Sequence, residues 1–181
     1  AAIGVQSSQT LVVAYDDSRF AFASRLWWLL RYFGHDRVAV LDGGFSSWQQ
    51  QGYAVTAKWP DVIPAEFEVQ LRPEWVVDIE AVKERKDRSG VVLVDSRSGD
   101  RYRGEYEPID PIAGHIPGAV NYCWQEATDD RGWVKSAETL QQQWAGVKSA
   151  DEIIVYCGSG VTACANLLSL HRAGIDRAKL Y

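Results

Sequence analysis

The chain has 181 residues, of which 46% are hydrophobic and 24% charged, and its net charge at neutral pH is −5. That is enough chain for one sizeable domain or two small ones, with the apolar-to-charged balance of a soluble globular protein. No apolar run approaches the ~20 residues of a membrane span, and no basic cluster marks nucleic acid as a partner.

In chain order, residues 10–15 form an apolar run expected to be a buried strand, and Asp16-Asp17-Ser18-Arg19 follows as a loop. Residues 20–33 read as a helix rich in large apolar side chains, among them Leu26, Trp27, Trp28, Leu29 and Leu30, ended by Gly34. A short strand is expected over 38–41, then a turn at Asp42-Gly43-Gly44 and a short helix over 45–51 that carries Trp48. Trp27, Trp28 and Trp48 are all expected in the core.

Pro60, Pro64 and Pro73 mark residues 57–73 as a stiffened connection, with a candidate edge strand at 67–69. A helix is expected over 76–86 and a buried strand over 91–95. Residues 96–118 form a long loop with three prolines, and loops of that length are often functional. A short strand follows at 119–121, and Ser136 caps a helix running to about Trp144.

The stretch 153–163 carries the strongest chemical signal. Ile153-Ile154-Val155-Tyr156 reads as a buried parallel strand, and residues 163–173 give a helical pattern with Leu167, Leu168 and Leu170 on one side. Cys157 therefore stands at the carboxyl end of a strand just before a helix N-terminus, where open α/β sheets bind ligands. Free backbone N–H groups and the helix dipole favour an anion there, such as a thiolate. Gly158 and Gly160 let the backbone curl into an anion-binding nest.

Residues 10–41 repeat in residues 151–181, at a spacing of about 140 residues, domain-sized rather than solenoid-sized. Leu29-Leu30-Arg31 aligns with the region of Leu170-His171-Arg172, and Asp16 stands where Cys157 stands. A carboxylate is no sulfur nucleophile, so the first copy is expected to be silent. Each copy also lacks a stretch that the other has. The chain thus reads as the back part of one domain joined to most of a second, and its first residues read as a cut or processed end without a signal or transit peptide.

Three separated motifs resemble those of the rhodanese superfamily: Cys157-Gly158-Ser159-Gly160-Val161-Thr162, then Asp95-Ser96-Arg97 with Arg101-Tyr102-Arg103-Gly104-Glu105, and Gly114-His115-Ile116-Pro117-Gly118-Ala119. The cysteine loop is similar to the version carried by mercaptopyruvate-using members. Thiosulfate-using members usually carry charged residues after the cysteine.

The resemblance implies an α/β fold of rhodanese-like domains, each a small mainly parallel sheet with helices on both faces. The expected division is a silent domain over residues 1–56, a linker over 57–72 and a catalytic domain over 73–181. It further implies that Cys157 is the nucleophile and carries a persulfide, with Gly158, Ser159, Gly160, Val161 and Thr162 around the bound sulfur. Arg101 would bind an anionic donor, 3-mercaptopyruvate in preference to thiosulfate, and Arg97 would either touch donor or hold the loop through Asp95 or Glu105. The acceptor would be a protein thiol such as thioredoxin, a small thiol, or cyanide, without metal, cofactor, membrane or nucleic acid.

One departure stands out: the segment Glu107-Pro108-Ile109-Asp110-Pro111 lacks an arginine that mercaptopyruvate-specific members carry. Ser159 is expected to act as a loop hydrogen-bond donor, His115 to order a turn, and Cys164 to lie in the core. The three cysteines have neither the number nor the spacing of a disulfide framework, which points to a reducing compartment, the cytoplasm. The alternative function is a non-catalytic sulfur-carrier or thiol-sensing module. Phosphatases of the same architecture need an arginine where this chain has Ala163.

Overall fold

The computed structural model describes residues 2–7 and 9–181; the reading of the first residues as a processed end begins at Ala1, outside them. Two parallel sheets form. In the smaller, β1 (Val12–Ala14) pairs with β2 (Val38–Val40). The larger contains β3 (Val91–Asp95), β4 (Val120–Asn121), β5 (Glu152–Tyr156) and β6 (Ala178–Leu180). Its order is β4-β3-β5-β6.

Strand β5 is central because it is apolar on both faces. Ile153, Ile154 and Val155 have no exposure at all, as a parallel strand covered on both sides requires. Alternation then splits the core. Ile153 and Val155 face α6 (Val161–Arg172), which packs against α1 (Ala21–Tyr32). Ile154 and Tyr156 face the other way, with Leu93 and with Val82 of α3 (Ile79–Arg85). Trp27 and Trp28 are buried in the same cluster as Leu167 and Leu170, so the two sequence repeats share one core.

The remaining helices are α2 (Gly44–Gln50), α4 (Gly99–Arg103) and α5 (Ala137–Gln143). Ser136 caps α5 by accepting the Thr139 N–H.

Five expectations are corrected. The strand expected to be buried over 10–15 is shorter, Val12–Ala14, and one face of it lies at the surface, with Leu11, Val13 and Tyr15 exposed. The long loop contains α4, which its glycine and charged residues conceal from any apolar periodicity. The helix expected over 76–86 starts later. Val77 N–H is taken by the Leu180 carbonyl at the sheet edge, and Asp78 caps the helix by accepting Ala81 N–H. No strand forms at 67–69: Gln70 and Arg72 donate their N–H groups to Phe33 and Tyr32 carbonyls at the end of α1. Trp48 is 37% exposed, leaning on Tyr53 rather than filling the core.

Candidate active site

Cys157 is the first residue past β5, half-buried, with the Gly160 N–H donating to its Sγ at 3.1 Å. Gly160 has φ +74°, in the left-handed region that glycine enters without strain, and α6 begins at the next residue. The positive end of α6 is thereby turned toward the thiol. Gly158 and Ser159 are exposed and form the outer lip of the loop, while Val161 and Thr162 open the helix.

The first repeat shows what such a loop holds. Asp16, two residues past the end of β1, places its carboxylate in the corresponding loop of the first repeat. Its Oδ1 accepts N–H groups from Ser18 and Phe20 at 2.8 and 2.9 Å, and its Oδ2 accepts those of Phe22 and Ala23 at 2.9 and 2.8 Å. Counting back from the helix starts, Phe20 matches Gly160, Phe22 matches Thr162 and Ala23 matches Ala163. By position the Gly160, Thr162 and Ala163 N–H groups correspond to three of these four donors, and that of Gly160 donates to Cys157 Sγ. The first loop is one residue longer, and Arg19 and Phe20 both take φ 51° to fit it.

Parallel pairing of β3 with β5 brings the arginine loop to the same sheet edge, Asp95 lying beside Tyr156. Arg97 is 7% exposed and turned inward. It bonds Asp95 at 2.7 Å, the Gly114 carbonyl at 2.5 Å and Glu107 at 3.2 Å. That makes it a brace between β3 and the far side of the loop. Its carboxylate partners are Asp95, Glu107 and Asp110 rather than Glu105, which pairs with Arg103.

Arg101, on α4, faces the cysteine loop. Its Nη2 lies 3.7 Å from where a Cβ on Gly158 would stand. Glu107 holds it from one edge, Nε to Oε2 at 3.1 Å and Nη2 to Oε1 at 2.7 Å, and Asp110 takes the second Nη2 proton at 2.9 Å. The Arg101 hydrogen bonds, with the N–H groups of Asp110 and Ile109, pull the Glu107 carboxyl down to about 2. Asp110 is more exposed, and its Oδ2 lies 3.6 Å from where a Cβ on Gly158 would stand.

Side chains that sequence reasoning passed over tie this edge together. The fully buried Asn166 of α6 donates to Ser96 Oγ at 2.9 Å and to the Tyr122 carbonyl at 2.7 Å. Asn121 bridges the Asp95 and Arg97 carbonyls. A lone amide on the apolar side of the helix after the cysteine is the one signal that could have flagged Asn166, because a buried amide demands partners. From the first repeat, Arg25 reaches the Gly160 carbonyl at 3.4 Å and the Cys164 Sγ at 3.7 Å.

The other flagged side chains make no hydrogen bond to Cys157 among the described residues. His115 stacks on Tyr102 and bonds its carbonyl, ordering the loop. Cys164 is fully buried, and burial pushes its thiol up to about 11. Cys123 is half-buried and its thiol is likewise raised by burial. Among the described residues no cluster of histidine, cysteine and carboxylate groups could hold a metal, and no helix is long and apolar enough to cross a membrane.

The rhodanese-like domain model matches residues 3–51 and again 78–181. A probable 3-mercaptopyruvate sulfurtransferase of Pseudomonas aeruginosa is 41% identical over 97% of this chain, and bovine thiosulfate sulfurtransferase is 35% identical over 97%. The chain spans 63% and 61% of their lengths. The crystal structure of the Escherichia coli 3-mercaptopyruvate sulfotransferase SseA, described as having the rhodanese fold, superposes with a TM-score of 0.81 at 33% identity, over 93% of this chain and 64% of that one. The fold defines an α/β protein in which a rhodanese-like unit occurs twice. The chain belongs to the rhodanese family.

Proposed function

We propose that this chain carries the sulfur-transfer site of a sulfurtransferase, with Cys157 as nucleophile. The observation that carries this is the Cys157 thiol facing an anion cradle that Asp16 fills in the other repeat, with Arg101 beside it. The Cys157 thiolate attacks the sulfur of an anionic donor. With 3-mercaptopyruvate the C–S bond breaks, its electron pair stays on carbon, and the donor's thiol proton passes to that carbon to give pyruvate and a Cys157 persulfide anion. With thiosulfate the S–S bond breaks and sulfite leaves. An acceptor thiolate, small or protein-borne such as thioredoxin, or cyanide then takes the outer sulfur and restores the Cys157 thiolate.

Arg101 binds the donor's anionic group, and the N–H groups of Gly160, Thr162 and Ala163 hold the persulfide. Gly158, Ser159 and Val161 shape the lip and the helix start around it. Arg97 works as the brace for the arginine loop. 3-Mercaptopyruvate is the preferred donor, on the uncharged loop after Cys157; relatives named for both donors keep thiosulfate in view. The same reading makes residues 1–56 a silent copy, 57–72 a linker and 73–181 the catalytic domain. The need for a reduced Cys157 fits the cytoplasm.

The test is incubation of the purified chain with each donor, with mass spectrometry for one added sulfur on Cys157 and turnover with a thiol acceptor. Persulfide and turnover, both absent in Cys157→Ser, support the reading. A persulfide without turnover favours the sulfur-carrier alternative, and unchanged transfer by Cys157→Ser removes Cys157 from the mechanism.

A further inference from the structure

The charges around Cys157 do not balance evenly. On the Gly158 side stand Arg101 and Asp110, and Arg101 is already neutralised by Glu107 and Asp110. On the Gly160 side stands Arg25, from α1 of the other repeat. Its Nη1 lies 3.6 Å from where a Cβ on Gly160 would stand and points at the Gly160 carbonyl and the Cys164 sulfur. Its guanidinium sits 5.3 Å from the centre of the Trp28 ring, which holds the charge in place without cancelling it. Arg25 makes no salt bridge among the described residues. The neighbouring thiol, Cys164, donates to the Gly160 carbonyl and carries no charge near neutrality.

We infer that Arg25, a side chain of the copy that lacks the cysteine, is a positioning residue that supplies the uncompensated positive charge at the Cys157 loop. It grips the carbonyl of the same Gly160 whose N–H donates to Cys157 Sγ. It therefore anchors the peptide that follows Gly160, one Cα beyond the peptide that carries that N–H, and it adds to the positive end of α6. A guanidinium keeps its charge across the working pH range, so the contribution persists through thiolate and persulfide alike. The packing of α1 on α6 in the shared core is what brings the helix of the first copy to the cysteine loop of the second. The inference goes beyond the proposed reaction and depends only on Cys157 being an anionic nucleophile.

The test uses the full chain with Arg25→Gln, which keeps a donor for Gly160, Arg25→Met, which keeps the apolar stem on Trp28, and Arg25→Lys, which keeps the charge. The readout is the rate of Cys157 alkylation by neutral iodoacetamide at neutral pH, with peptide mass spectrometry separating Cys157 from Cys123 and Cys164. Both neutral variants should slow alkylation about three- to tenfold and Arg25→Lys by less than about twofold. Folded neutral variants alkylated at the wild-type rate overturn the inference, and so does an equal loss in Arg25→Lys. Loss of the fold in both neutral variants assigns Arg25 to the framework and overturns it as well. If wild-type Cys157 reacts no faster than Cys123, it is the nucleophile reading itself that falls.

Discussion

Glu107 grips Arg101 edge-on, Nε to Oε2 at 3.1 Å and Nη2 to Oε1 at 2.7 Å, and so decides which side of the guanidinium faces the cysteine loop. Its charge is worth most in the folded chain. The folded carboxyl is pulled from 4.5 to about 2, so its contribution is complete above about pH 4.5 and is lost as pH falls through about 2. Glu107→Gln removes that dependence. The difference in thermal midpoint between wild type and Glu107→Gln should shrink steadily as pH is lowered through this window. A constant difference would show that Glu107 acts through packing alone. At neutral pH the variant should raise KM for either donor several-fold, because Arg101 loses its orientation.

Asp110 holds one Nη2 proton of Arg101 at 2.9 Å from a partly exposed position, where the proposed donor would have to displace it. Asp110→Asn should lower the donor KM by about threefold, a gain typical of removing one partly screened charge. The drop should be larger for dianionic thiosulfate than for monoanionic 3-mercaptopyruvate. Arg101→Lys should do the opposite, since an ammonium cannot keep both Glu107 and a donor carboxylate in one plane. Steady-state kinetics of both variants with both donors reads this out, and equal KM shifts for the two donors would remove charge as the cause.

Asp16 satisfies four backbone N–H groups in the first repeat. Asp16→Ala strips all four of their acceptor and should cost about 2–3 kcal/mol of stability. Asp16→Asn, which keeps one carbonyl oxygen, should cost less. Urea unfolding with an unchanged slope measures it. Donor affinity at Cys157 should move little in the folded Asp16→Asn protein, and a large loss there would mean that the two repeats are coupled through more than their shared core.

Asn166 is fully buried and joins α6 to Ser96 and Tyr122. Asn166→Leu leaves the Tyr122 carbonyl and the Ser96 hydroxyl without this partner, at about 2 kcal/mol. Because Ser96 precedes Arg97, the arginine loop should loosen too. Faster amide exchange at residues 96–101 checks this, and exchange unchanged there would confine Asn166 to a packing role.

Buried parallel strands announce themselves. The run Val91–Asp95 forms the strand expected of it, and Ile153 to Tyr156 form the heart of β5, because a strand covered on both faces must be apolar throughout. The serine cap of α5 and the helix after Cys157 were legible for a similar reason: their signals are local. The absence of a strand at 67–69 and the start of α3 were not legible. There the deciding hydrogen bonds run to Phe33, Tyr32 and Leu180, which are distant in the chain.

By itself the sequence determined the family, the repeat, the strand-loop-helix around Cys157 and the substitution of Asp16 for it, since each rests on residue type and short spacing. Tertiary structure alone decided that Arg97 braces while Arg101 lies beside Gly158 of the cysteine loop, that Glu107 and Asp110 already occupy Arg101, and that Arg25 reaches the loop from the other copy. An arginine's role depends on which carboxylates the fold places within ~4 Å of it, and that is fixed by the packing of β3 beside β5 and of α1 against α6.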